Sequence, residues 1–148
     1  MSKFVKLSLI LNIFLFVGCS DNNSIIAIAE TEPVTTSGDA ADDPAIVINY
    51  SNPKQSIILG TDKRAGVYSY DLSGKKISYA ALGEINNIDV RQVDNKIYVA
   101  ASNRTAKSIE FWEFNQQEFF NNLPQSDNLF DIAARSMTIP TNIDVYGI

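Results

Sequence analysis

From Ala45 onward, short runs of β-branched, aromatic and aliphatic residues alternate with clusters of Asn, Asp, Gly, Pro and Ser, and no window holds a 3.6-residue period over helical length. The runs Ala45 to Ile48, Ser56 to Gly60, Val67 to Leu72 and Lys76 to Ala80 predict a four-stranded antiparallel meander. Its turns fall at Asn52-Pro53, Lys63 to Gly66 and Ser73-Gly74. A second set follows at Ile88 to Gln92, Ile97 to Ser102 and Ser108 to Phe114, with Asp94-Asn95 as a tight turn. Gln116 to Asn128 is polar and suits either a loop or a helical turn. Phe130 to Ile139 reads as strand again, and Asn142 to Ile148 opens another. Ahead of the strands, a short apolar patch (Ile25 to Ala29) and the stretch Glu30 to Gly38 read as an extended lead-in.

The second set of strands echoes the first. Asn87-Ile88-Asp89-Val90 recurs unchanged as Asn142-Ile143-Asp144-Val145, 55 residues later. Leu59-Gly60-Thr61-Asp62-Lys63 parallels Ala100-Ala101-Ser102-Asn103-Arg104 at an offset of 41, and Val67 to Asp71 parallels Ile109 to Glu113 at 42. Four short strands per period of about 40 to 50 residues is the pattern of a β-propeller blade, with a Greek-key sandwich as the other all-β solution. In a propeller the opening strand of each blade lines the central channel, which places Asp89 and Asp144 inward or at its mouth. Lys63 and Arg104 take equivalent places after the second strand of their blades, so neighbouring loops set two cations side by side. A point charge next to a bidentate fork suits phosphate or carboxylate; solvated turn residues are the plainer alternative.

The first eighteen residues stand apart. Lys3 and Lys6 precede an eleven-residue apolar run, Leu7 to Val17, broken only by Ser8 and Asn12 and too short to span a bilayer comfortably. The run ends in Phe16-Val17-Gly18-Cys19, which resembles the lipobox of bacterial lipoproteins, although Phe16 stands where Leu is usual. The resemblance implies a signal peptide over residues 1–18 and lipidation of Cys19, the chain's single cysteine, with Asp21 to Ser24 as a polar tether. It also implies an exported lipoprotein of the cell envelope, at the outer membrane or cell surface. Three segments are thus expected: 1–18 as signal, 19–38 as tether and lead-in, and 39–148 as an incomplete propeller domain.

Composition narrows the chemistry. With one Cys and no His, the chain has no disulfide framework, no Cys- or His-based zinc site and no catalytic triad built on imidazole. Its 12 basic and 17 acidic residues give a net charge of -5, and loss of Lys3 and Lys6 with the signal takes it to -7. An acidic surface argues against a nucleic-acid partner, and a polyanion would have to be held through a bound cation or a few placed Lys and Arg.

Several blocks, in order, resemble the β-propeller phytases, the calcium-dependent alkaline phytases of bacteria. They are Ala40-Ala41-Asp42-Asp43-Pro44-Ala45-Ile46, Gly60 to Tyr68, Gly83 with Asn86 to Arg91, Ala100 to Arg104, and Ile143-Asp144-Val145-Tyr146-Gly147. Val47 departs from the family, which usually carries Trp there. The resemblance implies an all-β, six-bladed propeller that hydrolyses phosphate monoesters from phytate (myo-inositol hexakisphosphate) as a 3-phytase-type enzyme. It implies Ca2+ as cofactor, with Asp43 and the carbonyls of Pro44 and Ile88 as metal ligands and the Asn86-Asn87 pair beside them. It implies that Lys63, Arg64, Arg104 and Tyr146 contact phosphate, with Asp144 on the same rim, and that Lys63, Arg104 and Tyr146 serve catalysis. For Asp42, Asp89 and Asn103, satisfying backbone groups at turns and strand ends is at least as good an account as ligation.

Calcium takes hard oxygen donors, so such a site needs neither His nor Cys. Six blades need well over roughly 250 residues, whereas 148 accommodate about two blades and the first strand of a third. A truncated chain, inactive alone, is the expectation. The alternative is a non-enzymatic surface lipoprotein whose propeller-like repeats bind a partner or a glycan.

Overall fold

The computed structural model describes residues 25–148; the apolar N-terminal run, the lipobox-like segment and Cys19 lie outside the described residues. Two four-stranded antiparallel meanders follow one another along the chain. The first is built from β1 (Ala41–Val47), β2 (Ile57–Asp62), β3 (Gly66–Tyr70) and β4 (Lys76–Ala81) in sequential order. The second repeats the arrangement with β5 (Ile85–Val93), β6 (Lys96–Asn103), β7 (Ser108–Asn115) and β8 (Arg135–Pro140). These all-β units are propeller-type blades. The helix α1 (Gln116–Asn122) and two 3-10 turns bridge β7 to β8.

Period-two alternation explains how the sheets join. Ala45 and Val47 of β1, Ile57 and Leu59 of β2, and Ile97, Val99 and Ala101 of β6 turn to one side and are buried. Together with Ile85, Ile88, Trp112 and Phe114 they form a single hydrophobic cluster that spans both sheets. Full burial of each large aliphatic chain contributes about 1.5–3 kcal/mol relative to exposure. Val47, where the resemblance anticipates Trp, is wholly buried in this cluster. The polar stretch after β7 is a helix because Asn115 caps it, its carboxamide oxygen accepting from the N–H groups of Gln117 and Glu118 at 3.0 and 3.2 Å. Phe119 and Leu123 then drop into the core.

Two strand expectations need correction. Phe130 to Ile139 is not one strand: Leu129–Ile132 is a 3-10 turn, started by the Asn128 side chain accepting from the Phe130 N–H at 3.0 Å, and β8 begins only at Arg135. Burial of Leu129 in the core and of Phe130, its ring centre 4.0 Å from that of Trp112, holds that turn in place. Asn142 to Ile148 forms no strand, since a strand needs a ladder partner and these residues find none among the described residues.

Both opening strands start earlier than their apolar runs and carry the same irregularity. The ladder of β1 on β2 slips between Ala41 and Pro44, and that of β5 on β6 slips between Ile85 and Ile88. In each blade the residue inside the slip donates its N–H to a hydroxyl on the next strand: Asp43 to Thr61 Oγ1 at 2.8 Å, and Asn87 to Ser102 Oγ at 2.9 Å. In each, the loop after the second strand is tied back to the residue preceding the first: Lys63 N–H to the Ala40 carbonyl and Arg104 N–H to the Glu84 carbonyl, both at 2.9 Å. The repeat is thus one of hydrogen bonds as well as of residues.

Candidate phosphate-binding cleft

The cleft forms where the two post-strand loops meet. Asp62 ends β2 fully buried, and its carboxylate accepts from the Thr36 hydroxyl at 2.7 and 2.8 Å and from the Arg64 N–H at 3.0 Å. This fixes the Lys63-Arg64 turn. In the second blade Asn103 does the same work, its carboxamide oxygen accepting from the Ala106 N–H at 3.0 Å while its nitrogen donates to the Leu82 carbonyl at 3.0 Å. Arg104 therefore emerges toward Lys63, and one guanidinium nitrogen donates to the Lys63 carbonyl at 2.7 Å across the seam between the blades. Its Nε is buried with no partner among the described residues. The guanidinium carbon lies 5.5 Å from the centre of the Tyr146 ring, and Asn86 Nδ2 donates to the Tyr146 carbonyl at 3.2 Å.

The result is an open cleft of about 630 Å³ lined by Lys63, Arg64, Arg104 and Tyr146, together with Asp39, Glu84 and Asn86. Three cations, a phenol and a carboxamide converge in it. Four of the residues expected at phosphate are therefore brought together. Asp144 is exposed and does not line the cleft.

Asp39 was not visible as a participant in the sequence. Its carboxylate lies 2.8 Å from the Lys63 ammonium, and that of Asp42 lies 3.8 Å away. The hydrogen bond and charge of Lys63 hold the Asp39 carboxyl below its ordinary value. Asp39 reaches this place because the lead-in is docked on the first blade. Thr35 contacts the Tyr68 hydroxyl through both its N–H, at 3.2 Å, and its own hydroxyl, at 2.7 Å, while Glu32 N–H donates to the Gly74 carbonyl at 2.8 Å.

Asp43, the expected metal ligand, sits at the seam. Its Oδ2 accepts from the Ile88 N–H at 3.0 Å and from Asn87 Nδ2 at 3.3 Å, so the carboxylate joins the blades. Thr61 completes the joint by donating to the Asn86 carbonyl at 2.9 Å. Asp43 Oδ1 accepts no hydrogen bond from the described residues; with the carbonyl oxygens of Pro44, next in the chain, and Ile88, whose N–H bonds the other carboxylate oxygen, it makes up the donor set the resemblance implies. In kind these oxygen donors fit calcium; in number they fall short of the six to eight it takes. Among the described residues no three Asp, Glu, Cys or His side chains cluster closely enough to hold a metal ion. Asp89 is occupied locally, accepting from the Val90 N–H at 2.8 Å and from Arg91 at 2.9 Å.

A protein-family model described as Phytase matches residues 7–148, nearly the whole chain. The chain belongs to the phytase family. A 3-phytase of Bacillus subtilis (strain 168) is 42% identical over 67 residues, which cover 45% of this chain and 18% of that protein. The match thus spans less than a fifth of the relative's length. The phytase blocks at Lys63-Arg64, Arg104 and Tyr146 are those that converge in the cleft.

Proposed function

We propose that the cleft binds the phosphate groups of phytate or a related inositol phosphate, and that it forms part of a calcium-dependent site for phosphate-monoester hydrolysis. The observation that carries this reading is the convergence of Lys63, Arg64, Arg104 and Tyr146 in one open cleft of a phytase-family chain. Arg104 and Lys63 come from equivalent loops of adjacent blades, so the spacing of the two cations is set by blade packing and not by a flexible loop. Arg104 is oriented by its bond to the Lys63 carbonyl and by the Tyr146 ring, which reduces the side-chain freedom lost on binding an anion. Lys63 and Arg104 then stabilise charge on the phosphoryl oxygens as transfer proceeds, and the Tyr146 hydroxyl orients a neighbouring phosphate.

Asp43 and the carbonyls of Pro44 and Ile88 would hold calcium. When bound, calcium would neutralise part of the substrate's charge and supply an activated water for in-line attack. Because these donors account for only part of a calcium shell, we propose that the two blades bind phosphate but do not turn over phytate unaided. Export with lipid on Cys19 completes the proposal and places the cleft at the cell envelope.

The test is phosphate release from phytate by the full chain, with and without calcium, alongside phytate binding followed by 31P NMR. Binding without substantial turnover is expected; absence of binding under both conditions would contradict the assignment.

A further inference from the structure

A second cleft lies at the other end of the same strands. The strands β1 and β5 both start at the phosphate-binding cleft and end beside a cavity of about 670 Å³. At about 3.3 Å per residue, seven residues of β1 separate the two by roughly 20 Å. The lining of this cavity is chemically distinctive. No ionisable side chain among the described residues contributes to it, in a chain whose charged residues are 20% of the total. Seven carboxamides do, with Ser51 and Phe120.

The cavity is rigidly built. Gln92 stitches the blades at its edge, accepting from the Ile48 N–H at 2.7 Å and donating to the Ile48 carbonyl at 2.8 Å and to the Gln116 side chain at 3.2 Å. Asn49 is buried, and its oxygen accepts from the N–H groups of Ser51 and Asn52. The Gln116 N–H donates to the Asn95 carbonyl at 2.9 Å, which fixes the start of α1 against the β5–β6 turn. By contrast, the side chains of Asn52, Gln55, Asn95, Gln117 and Asn121 make no hydrogen bond among the described residues. A smaller cleft shares Asn95 and Gln116 with this one and carries the exposed ring of Tyr50, with Asp94 at its side.

We propose that this amide-lined cavity is a binding site for a neutral saccharide. A carboxamide offers donors and an acceptor at once, which matches sugar hydroxyls that also do both, whereas an anion would find no counter-charge in either cleft and would meet the Asp94 carboxylate in the smaller one. Tyr50, which is exposed, and Phe120, half-buried against the core, line the smaller and the larger cleft and offer apolar ring surface to the C–H faces of a pyranose. The volume is within the range of small-ligand sites and accommodates one or two rings. The site is independent of the phosphate-binding cleft and of the reading given to it.

The test is a titration of the 15N-labelled full chain with maltotriose, cellotriose and chitotriose, and separately with inorganic phosphate, following the side-chain NH2 signals of Asn and Gln. At least one trisaccharide is expected to shift the signals of Asn52, Gln55, Asn95, Gln117 and Asn121 with a millimolar dissociation constant, and phosphate is expected to leave them in place. Asn95→Gly keeps the left-handed turn at φ 63° while removing the amide, and Gln117→Ala with Asn121→Ala removes two exposed side chains. Each variant is expected to weaken binding about fivefold or more, equivalent to about 1 kcal/mol. No shift with any of the three sugars at tens of millimolar, or the same shifts with phosphate, would overturn the proposal.

Discussion

Asp39 and Lys63 set the charge at the rim of the proposed phosphate-binding cleft, and their pairing has a definite dependence on pH. Because the folded Asp39 carboxyl is held below its ordinary 3.8, chiefly by the hydrogen bond from Lys63, the contact is present above that value and is lost as pH falls through the depressed one. In an NMR titration the Asp39 carboxyl carbon should move below pH 3.8 and return toward that value in Lys63→Gln; an Asp39 midpoint at or above 3.8 in the unaltered chain would contradict this. Thr61 is a more structural case. It is buried, accepts from the Asp43 N–H, and donates to the Asn86 carbonyl on the other blade. Thr61→Val should cost about 1–3 kcal/mol, read as a lower urea midpoint, since both partners are left unsatisfied.

At the scale of elements, the lead-in behaves as part of the first blade, and one glycine holds it there. A Cβ on Gly74, at φ 87°, would stand 1.9 Å from the Glu30 carbonyl oxygen. Gly74→Ala should release the lead-in, seen as faster amide exchange at Glu32 and Thr35, while the strands keep their protection. Gly66→Ala should be costlier, on the order of 1–3 kcal/mol, because its Cβ would meet the Ala80 carbonyl inside the β3–β4 ladder. The strands themselves were legible because their apolar runs alternate. Their starts were not: Ala41 to Pro44 and Ile85 to Asn87 are polar or slipped in register, and only backbone pairing shows that they belong to β1 and β5. Gln116 to Asn122 was ambiguous because its helix rests on the Asn115 cap and on one buried residue, Phe119, with Leu123 buried just past its end, and not on a long apolar face. The strand expected at Phe130 yielded to a side-chain-capped 3-10 turn.

For the molecule as a whole, the offset of 41 between Lys63 and Arg104 was the most informative number in the sequence. It placed the two cations in equivalent loops, and the structure brings those loops into contact through the Arg104 bond to Lys63. The sequence did not disclose Asp39, which depends on how the lead-in is folded back on the first blade, and it misplaced Asp144, whose repeat segment forms no strand among the described residues. The double role of Asp43, a joint between blades and a proposed metal ligand, carries a further prediction at this scale. Calcium should raise the thermal midpoint of the chain, and Asp43→Ala should abolish that gain as well as lower the midpoint in its absence. Equal calcium stabilisation with and without Asp43 would place the ion elsewhere.

Whether Lys63 and Arg104 jointly bind phosphate in this cleft is decided by calorimetric titration of the full chain with inositol hexakisphosphate. Lys63→Gln, which leaves the Arg104 bond to the residue-63 carbonyl intact, should weaken binding about tenfold, and Arg104→Lys, which loses the fork, should weaken it comparably. Unchanged affinity in both variants, each with an unaltered circular dichroism spectrum, would contradict the account.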